Sequence, residues 1–166
     1  MLIKIRKGEN TDIEAIMSCY DIAKQYMRKS GNLTQWINGY PSRELIIENI
    51  NRGINYVGQD EDNDIVMVFA FIIGNDPTYN IIENGEWLDD SPYGTIHRLA
   101  STGKYRGILK ICIDYCLSYI NNIRLDTHAD NLTMQKSTER LGFKKCGIIY
   151  CQDSTPRIAY QKIKLP

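Results

Sequence analysis

The spacing of apolar positions changes period several times along the chain, and each change marks an element. Leu2 to Arg6 alternates Leu/Ile with charge, which predicts a half-buried strand. Ile13, Ile16, Met17, Tyr20 and Met27 then recur at helical spacing, predicting an amphipathic helix over 12–29 that Gly31 ends. Thr11 and Glu14 stand at the N-cap and N3 spacing of a capping box at its start. The segment GNLTQWINGYP is aromatic and turn-rich and reads as a loop. Ser42 is placed to cap a second helix through about Arg52, with Leu45, Ile46, Asn49 and Ile50 on one face and Gly53 as the stop.

From Ile54 the helical period is lost. Asn55 to Gln59 predicts a strand, DEDND an exposed turn, and the apolar run Ile65 to Ile73 a fully buried strand. Residues 74–94 carry Gly, Asn, Asp and Pro around Trp87 and predict a long loop. Thr95 to Ser101 reads as a strand and Gly103 to Gly107 as a short basic turn. A helix follows from about Gly107 to Ile120, with Leu109, Cys112, Ile113, Cys116 and Ile120 on its apolar stripe. Ile123 to Thr127 is a strand, Asn131 to Leu141 a helix closed by Gly142, and strands at about 143–151 and 157–163 flank the polar turn QDSTP. The order is β-α-α-β-β-β-α-β-α-β-β, an α/β fold (α+β with a mixed sheet) in which the strand–helix–strand unit over 95–127 is parallel and the closing hairpin antiparallel. No repeat, linker or low-complexity tract interrupts residues 1–166, so a single domain is expected.

Composition narrows the function classes. The 166 residues are 43% hydrophobic and 24% charged, which excludes collagen, coiled coil and long disorder. Twenty Lys/Arg balance twenty Asp/Glu, so the chain lacks the overall basic excess of a nucleic-acid or membrane-surface binder. No apolar run approaches a bilayer span, and MLIKIRKGEN has neither a long apolar core nor a cleavage site. Five cysteines (Cys19, Cys112, Cys116, Cys146, Cys151) lack CxxC or CxxH spacing, and with only two histidines no metal site is expected. Free buried thiols suit a cytoplasmic protein.

Two segments carry candidate chemistry. In STGKYRGILKICIDYC a strand runs through a basic turn into a helix whose first N–H groups lack internal acceptors. Such a terminus attracts phosphate, and Lys104, Arg106 and Lys110 add positive charge with no acid among positions 103–110. A solvated basic turn is the plainer reading; neither a Walker A loop nor GxGxxG is present. In IRLDTHADNLTMQKSTERLGF, Asp126 and His128 share one strand face near the strand's C-terminal end, where ligands gather in open α/β sheets. Asn131 opens the next helix, and turn and capping roles for these residues compete with a binding role.

Together the two segments resemble the GNAT superfamily of acyl-CoA-dependent N-acyltransferases, and the element order fits nearly the whole chain. The family's pyrophosphate loop, R/Q-x-x-G-x-G/A, is matched by Lys104-Tyr105-Arg106-Gly107-Ile108-Leu109, in which only the middle Gly is kept. The family's N-x-x-A…LYEKLGF signature corresponds to Asn131, Met134 and the run Ser137-Thr138-Glu139-Arg140-Leu141-Gly142-Phe143, with Thr138 where the acidic Tyr usually stands. A narrower likeness to small bacterial members of the family rests on GN…QW…GYPS, HR-A-S, D-T-H-x-D-N-x-x-M-Q and C-G-I-I-Y.

This resemblance implies acetyl-CoA as the cofactor, without a metal, and transfer of its acetyl group to a primary amine of a small molecule or peptide by direct attack in a ternary complex. The pyrophosphate is expected on the backbone of residues 104–109 and the pantetheine arm along Leu99, Ala100 and Ser101, with Asn131 and Met134 also on the cofactor. Trp36 and Tyr40 would face the acceptor or simply anchor their loop. His97 and His128 are candidate bases, Asp126 would orient His128 or bind the amine, and Tyr150 is the candidate acid in place of Thr138. Arg98 is expected to pair with a loop carboxylate. A monomer or homodimer acting without nucleic acid or membrane is expected. The alternatives are a catalytically silent acyl-CoA-binding module and a nucleic-acid or protein-binding domain using the C-terminal third, where seven Lys/Arg face Glu139 and Asp153 for a net +5.

Overall fold

A computed structural model describes residues 2–166. The strands are β1 (Lys4–Lys7), β2 (Asn55–Gln59), β3 (Ile65–Ile73), β4 (Gly94–Ser101), β5 (Asn122–Thr127), β6 (Lys144–Tyr150) and β7 (Pro156–Ile163). The helices are α1 (Ile13–Lys29), α2 (Arg43–Asn51), α3 (Ile108–Leu117) and α4 (Leu132–Arg140), so the element order is the one the sequence predicts. The sheet has seven strands in the order β1-β2-β3-β4-β5-β7-β6. β4 and β5 run parallel, paired at Gly94↔Ile123 and Thr95↔Arg124, and β7 is antiparallel to both β5 and β6.

The chain forms two compact units, the first comprising the chain up to Phe71 with His97–Ile111 and the second Ile72–Ile96 with Cys112–Pro166. In the first, α1 and α2 bury Ile16, Cys19, Tyr20 and Ile46 with Val57, Val68 and Ala100 of the strands. Ser42 caps α2 by accepting from the Leu45 N–H at 3.1 Å. The start of α1 departs from expectation. Thr11 lies inside a 3₁₀ turn, Asn10–Asp12, and the capping box forms one turn earlier, with Glu9 as its N-cap and Asp12 at N3 accepting the Glu9 N–H at 2.8 Å. Asp12 prevails because the Arg6 fork holds its carboxylate through two bonds of 2.7 and 2.9 Å.

The second unit packs Tyr79, Tyr93, Ile149 and Ala159 with Ile82 and Trp87. Residues 74–94 are mostly irregular, with one 3₁₀ turn at Pro77–Tyr79, yet they are firmly anchored. Glu83 bridges to Ile148, and the buried Arg124 guanidinium lies 4.1 Å from the Trp87 ring and 3.9 Å from the Tyr93 ring. α3 ends three residues earlier than its apolar pattern suggests, in tight turns that carry Ser118 N–H to the Tyr115 carbonyl. Its buried stripe begins at Ile108 rather than Leu109, which is half-buried. No described helix is long and apolar enough to cross a membrane.

Candidate active site

In the first unit β4 carries an unusual backbone position. Arg98 has φ +53°, a left-handed conformation inside a strand that costs a non-glycine residue roughly 1–2 kcal/mol. Its carbonyl accepts the Tyr20 hydroxyl at 2.8 Å, and Tyr20 is fully buried in α1 with its ring edge-on to Trp36 at 5.5 Å. Such interruptions re-aim side chains on strands that line sites. The Arg98 Nη1 donates to the Tyr40 hydroxyl at 3.2 Å, and no carboxylate among the described residues pairs with it. The expected loop carboxylate is therefore replaced by a phenol, because the loop carrying Tyr40, residues 31–41, contains no acid. Trp36 packs against the core around Tyr20 and its carbonyl accepts from Arg28, which makes it an anchor of its loop; Tyr40 is 40% exposed. His97, half-buried, immediately precedes Arg98.

Beyond β4 the chain returns to β3, the Thr102 N–H bonding the Val66 carbonyl at 3.1 Å. Leu99 and Ser101 are half-buried and Ala100 is buried. The Ser101 and Thr102 hydroxyls accept weakly from the N–H groups of Gly103 and Lys104, each at 3.4 Å. Gly107, at φ +77°, turns the chain into α3, and a Cβ there would meet nothing within 4 Å. Arg106 is exposed, whereas Ile108 is buried, so Ile108 has only its backbone to offer a ligand. The first turn of α3 leaves its leading N–H groups without helical acceptors.

The charge around this turn differs from the sequence reading. No acid lies among positions 103–110, but the turn between β2 and β3 brings Asp60, Asp62 and Asp64 to Lys104. Lys104 Nζ lies 2.6 Å from Asp60 Oδ2 and 3.3 Å from Asp64, and the Tyr105 hydroxyl donates to the same Asp60 oxygen at 3.1 Å. Lys104 is held above its ordinary pKa by Asp60, and Asp60 below its own by Lys104. The three carboxylates lie within 4.8 Å of one another, with an ammonium already among them. A cleft of about 530 Å³ borders the turn, lined by Ser18 and Cys19 of α1, Asp64 to Val66, and Thr102 to Lys104.

In the second unit Asp126 does not orient His128. Its Oδ2 accepts the Tyr79 hydroxyl at 2.6 Å, and burial with that carboxylate pushes the Tyr79 pKa well up. His128 Nδ1 accepts the Asp130 N–H at 3.0 Å, which places the proton of the neutral ring on Nε2. Burial and the Arg157 charge lower its pKa below 6.5. Asn131 caps α4, its Oδ1 accepting the Met134 N–H at 3.1 Å, and Met134 is half-buried. Tyr150 donates to Glu83 Oε2 at 2.9 Å, and that carboxylate raises the Tyr150 pKa. Thr138 is fully buried with an unpaired Oγ1. Of the cysteines, burial pushes Cys19 to about 12 and Cys151 to about 11.

Three residues stand out for partners the sequence reading did not anticipate: Tyr20, Tyr79 and Asp60. Tyr20 fits the core stripe of α1, Tyr79 lies in an irregular loop, and Asp60 sits in an acidic turn; none has a local pattern that announces its partner.

No protein-family model and no curated protein matches the chain. Among solved structures, a GNAT-family acetyltransferase from Streptococcus agalactiae superposes with a TM-score of 0.88 and 32% identity over 99% of this chain and 96% of that one. The chain belongs to the GNAT family of acetyltransferases. The fold is shared by a GNAT acetyltransferase from Listeria monocytogenes (TM-score 0.70, 20% identity, 97% and 94% coverage). PaiA N-acetyltransferase from Thermoplasma acidophilum, solved in complex with coenzyme A, also shares it (TM-score 0.67, 16% identity, 98% and 99% coverage).

Proposed function

We propose that this chain is an N-acetyltransferase that moves the acetyl group of acetyl-CoA to a primary amine of a small molecule or peptide, with residues 1–166 acting as one domain. The observation that carries the reading is the full-length relationship to the Streptococcus agalactiae acetyltransferase, joined to a strand, basic turn and helix N-terminus in the position where the family resemblance expects the cofactor. The CoA complex of the Thermoplasma protein supports a CoA-type cofactor on this fold.

The pyrophosphate is assigned to backbone N–H groups of residues 104–109 and the arm to Leu99, Ala100 and Ser101. Because Lys104 and Tyr105 are tied to Asp60, amides and Arg106 carry the phosphate rather than those two side chains. Asn131 and Met134 are proposed cofactor residues as well, with the Asn131 Oδ1 engaged as the cap of α4.

The acceptor ammonium loses a proton and its nitrogen attacks the thioester carbon directly; the carbon–sulfur bond then breaks to release CoA as thiolate. His97 is the preferred base. His128 is less suited, because its one lone-pair nitrogen is engaged with Asp130. Tyr150 is a weak acid here, since its tyrosinate would stand beside Glu83; water serves the leaving thiolate equally well. Free thiols at all five cysteines suit the reducing cytoplasm.

The experiment is calorimetry with CoA followed by amine-dependent release of CoA thiol from acetyl-CoA. Binding with turnover of an amine is expected. Binding without turnover of any amine would instead favour a silent acyl-CoA-binding module, a reading to which Thr138, buried at the family's tyrosine position, lends its weight.

A further inference from the structure

We propose that Arg98 holds the carboxylate of the acceptor, so that the amine this chain acetylates is an amino acid or another carboxylate-bearing primary amine. The inference rests on the acetyltransferase reading and deepens its acceptor side.

Arg6, Arg43 and Arg52 meet carboxylates, Arg28 bonds two backbone carbonyls, and Arg124, whose Nε is also unpaired, lies between two rings with a carbonyl on its Nη2; Arg106 and Arg140 are exposed. The half-buried Arg98 has only a phenol hydroxyl at Nη1, and its Nε is buried with no hydrogen-bond partner. The guanidinium is half-buried with no anion on it, and its planar fork of donors fits a carboxylate through two parallel bonds.

The backbone fixes where that fork stands. The positive φ of Arg98 and the bond from the buried Tyr20 hydroxyl to its carbonyl hold the residue in one conformation. Tyr40, once it has accepted from Arg98, retains its own O–H to donate to the same anion. The partners favour a carboxylate over a phosphate: one cation and one phenol suit a monoanion, whereas a phosphate dianion ordinarily gathers several positive groups.

The test uses the whole protein with acetyl-CoA and matched acceptors, the twenty common amino acids and their carboxamides. At least one amino acid is expected to react with kcat/KM about 100-fold above its carboxamide. Arg98→Gln should bring acid and amide to the same level, with Arg98→Lys, which keeps the charge but not the fork, in between and folded as judged by an unchanged melting curve. The same pairs are also titrated calorimetrically into the CoA-saturated protein. If no acceptor is acetylated, the enzymatic reading fails; amino-acid binding that Arg98→Gln abolishes would still uphold the carboxylate site. Equal behaviour of acids and amides, absence of binding by any amino acid, or discrimination that survives Arg98→Gln would overturn the proposal.

Discussion

The Lys104 ammonium lies 2.6 Å from Asp60 Oδ2, and the Tyr105 hydroxyl reaches the same oxygen at 3.1 Å. The basic turn ahead of α3 therefore pairs its first cation with the acidic turn between β2 and β3, and under the proposed function Lys104 would offset negative charge beside the phosphate site. Lys104→Ala should weaken CoA binding about tenfold, the effect of ~1.4 kcal/mol. In an Asp60→Asn background the same substitution should cost at most about twofold, because the buried carboxylate that needed cancelling is gone. Calorimetry on the four proteins decides; an equal loss in both backgrounds would mean that Lys104 touches phosphate itself.

Gly107 separates charge from shape in the same turn. Its surroundings are open, so a side chain there acts through its charge and through the strain of φ +77°. Gly107→Ala should lower stability by about 1 kcal/mol and leave CoA affinity within about threefold of the parent. Gly107→Asp places a carboxylate at the helix N-terminus, where it competes with phosphate, and should reduce affinity at least ~100-fold in a protein that melts like the alanine variant.

Two titrations shape stability in acid. The Arg6 fork holds the Asp12 carboxyl below its ordinary 3.8, so this pair stabilises the fold at higher pH and its contribution is lost as pH falls below about 4 through the lowered folded value. His128 is the opposite charge type with the same sign. Its pKa is lowered from 6.5, so the unfolded chain binds the proton more readily and stability falls as pH drops below 6.5. Melting curves between pH 5 and 7.5 should lose this slope in His128→Gln. The His128 titration followed by NMR should have its midpoint below 6.5 and move upward in Arg157→Gln; a midpoint above 6.5 would refute the assignment.

The 74–94 segment is fixed by backbone contact as much as by its aromatic residues. A Cβ on Gly85 would overlap the Cys146 carbonyl, so the segment approaches β6 more closely than any other residue type permits. Gly85→Ala should destabilise the protein by at least ~2 kcal/mol, the cost of forced displacement in a packed contact. Chemical denaturation measures it, and a loss below about half that value would contradict the close approach.

Much of this architecture is legible locally. Ser42 and Asn131 lie at the starts of their helices and cap them through neighbours three residues on, and the apolar run of β3 needs no partner to be recognised. The failures lie in side-chain partnerships, most of them distant in sequence. Thr11 and Glu14 fit a capping box, but the box forms between Glu9 and Asp12, whose carboxylate Arg6 holds from six positions back. Tyr20 meets Arg98 across 78 positions and Tyr79 meets Asp126 across 47, separations that no periodicity encodes. Asp60 reads as a solvated turn residue until the fold brings Lys104 and Tyr105 onto it. For the same reason the sequence suggests Asp126 as a partner of His128, while the structure gives Asp126 to Tyr79 and His128 to the Asp130 backbone.

The central claim is direct transfer of an acetyl group from acetyl-CoA to an amine. Burial keeps Cys19 and Cys151 protonated, with pKa values near about 12 and about 11, so neither offers a thiolate at neutral pH. The most direct measurement follows acetyl-CoA labelled in its acetyl group, first with the protein alone and then with a panel of amines including amino acids. The label is expected to reach the amine, with none retained covalently on the protein before the amine is added. A stoichiometric acetyl thioester on a cysteine that then passes its acetyl group to the amine would contradict direct transfer, and CoA binding with no labelled amine from any acceptor would contradict the enzyme.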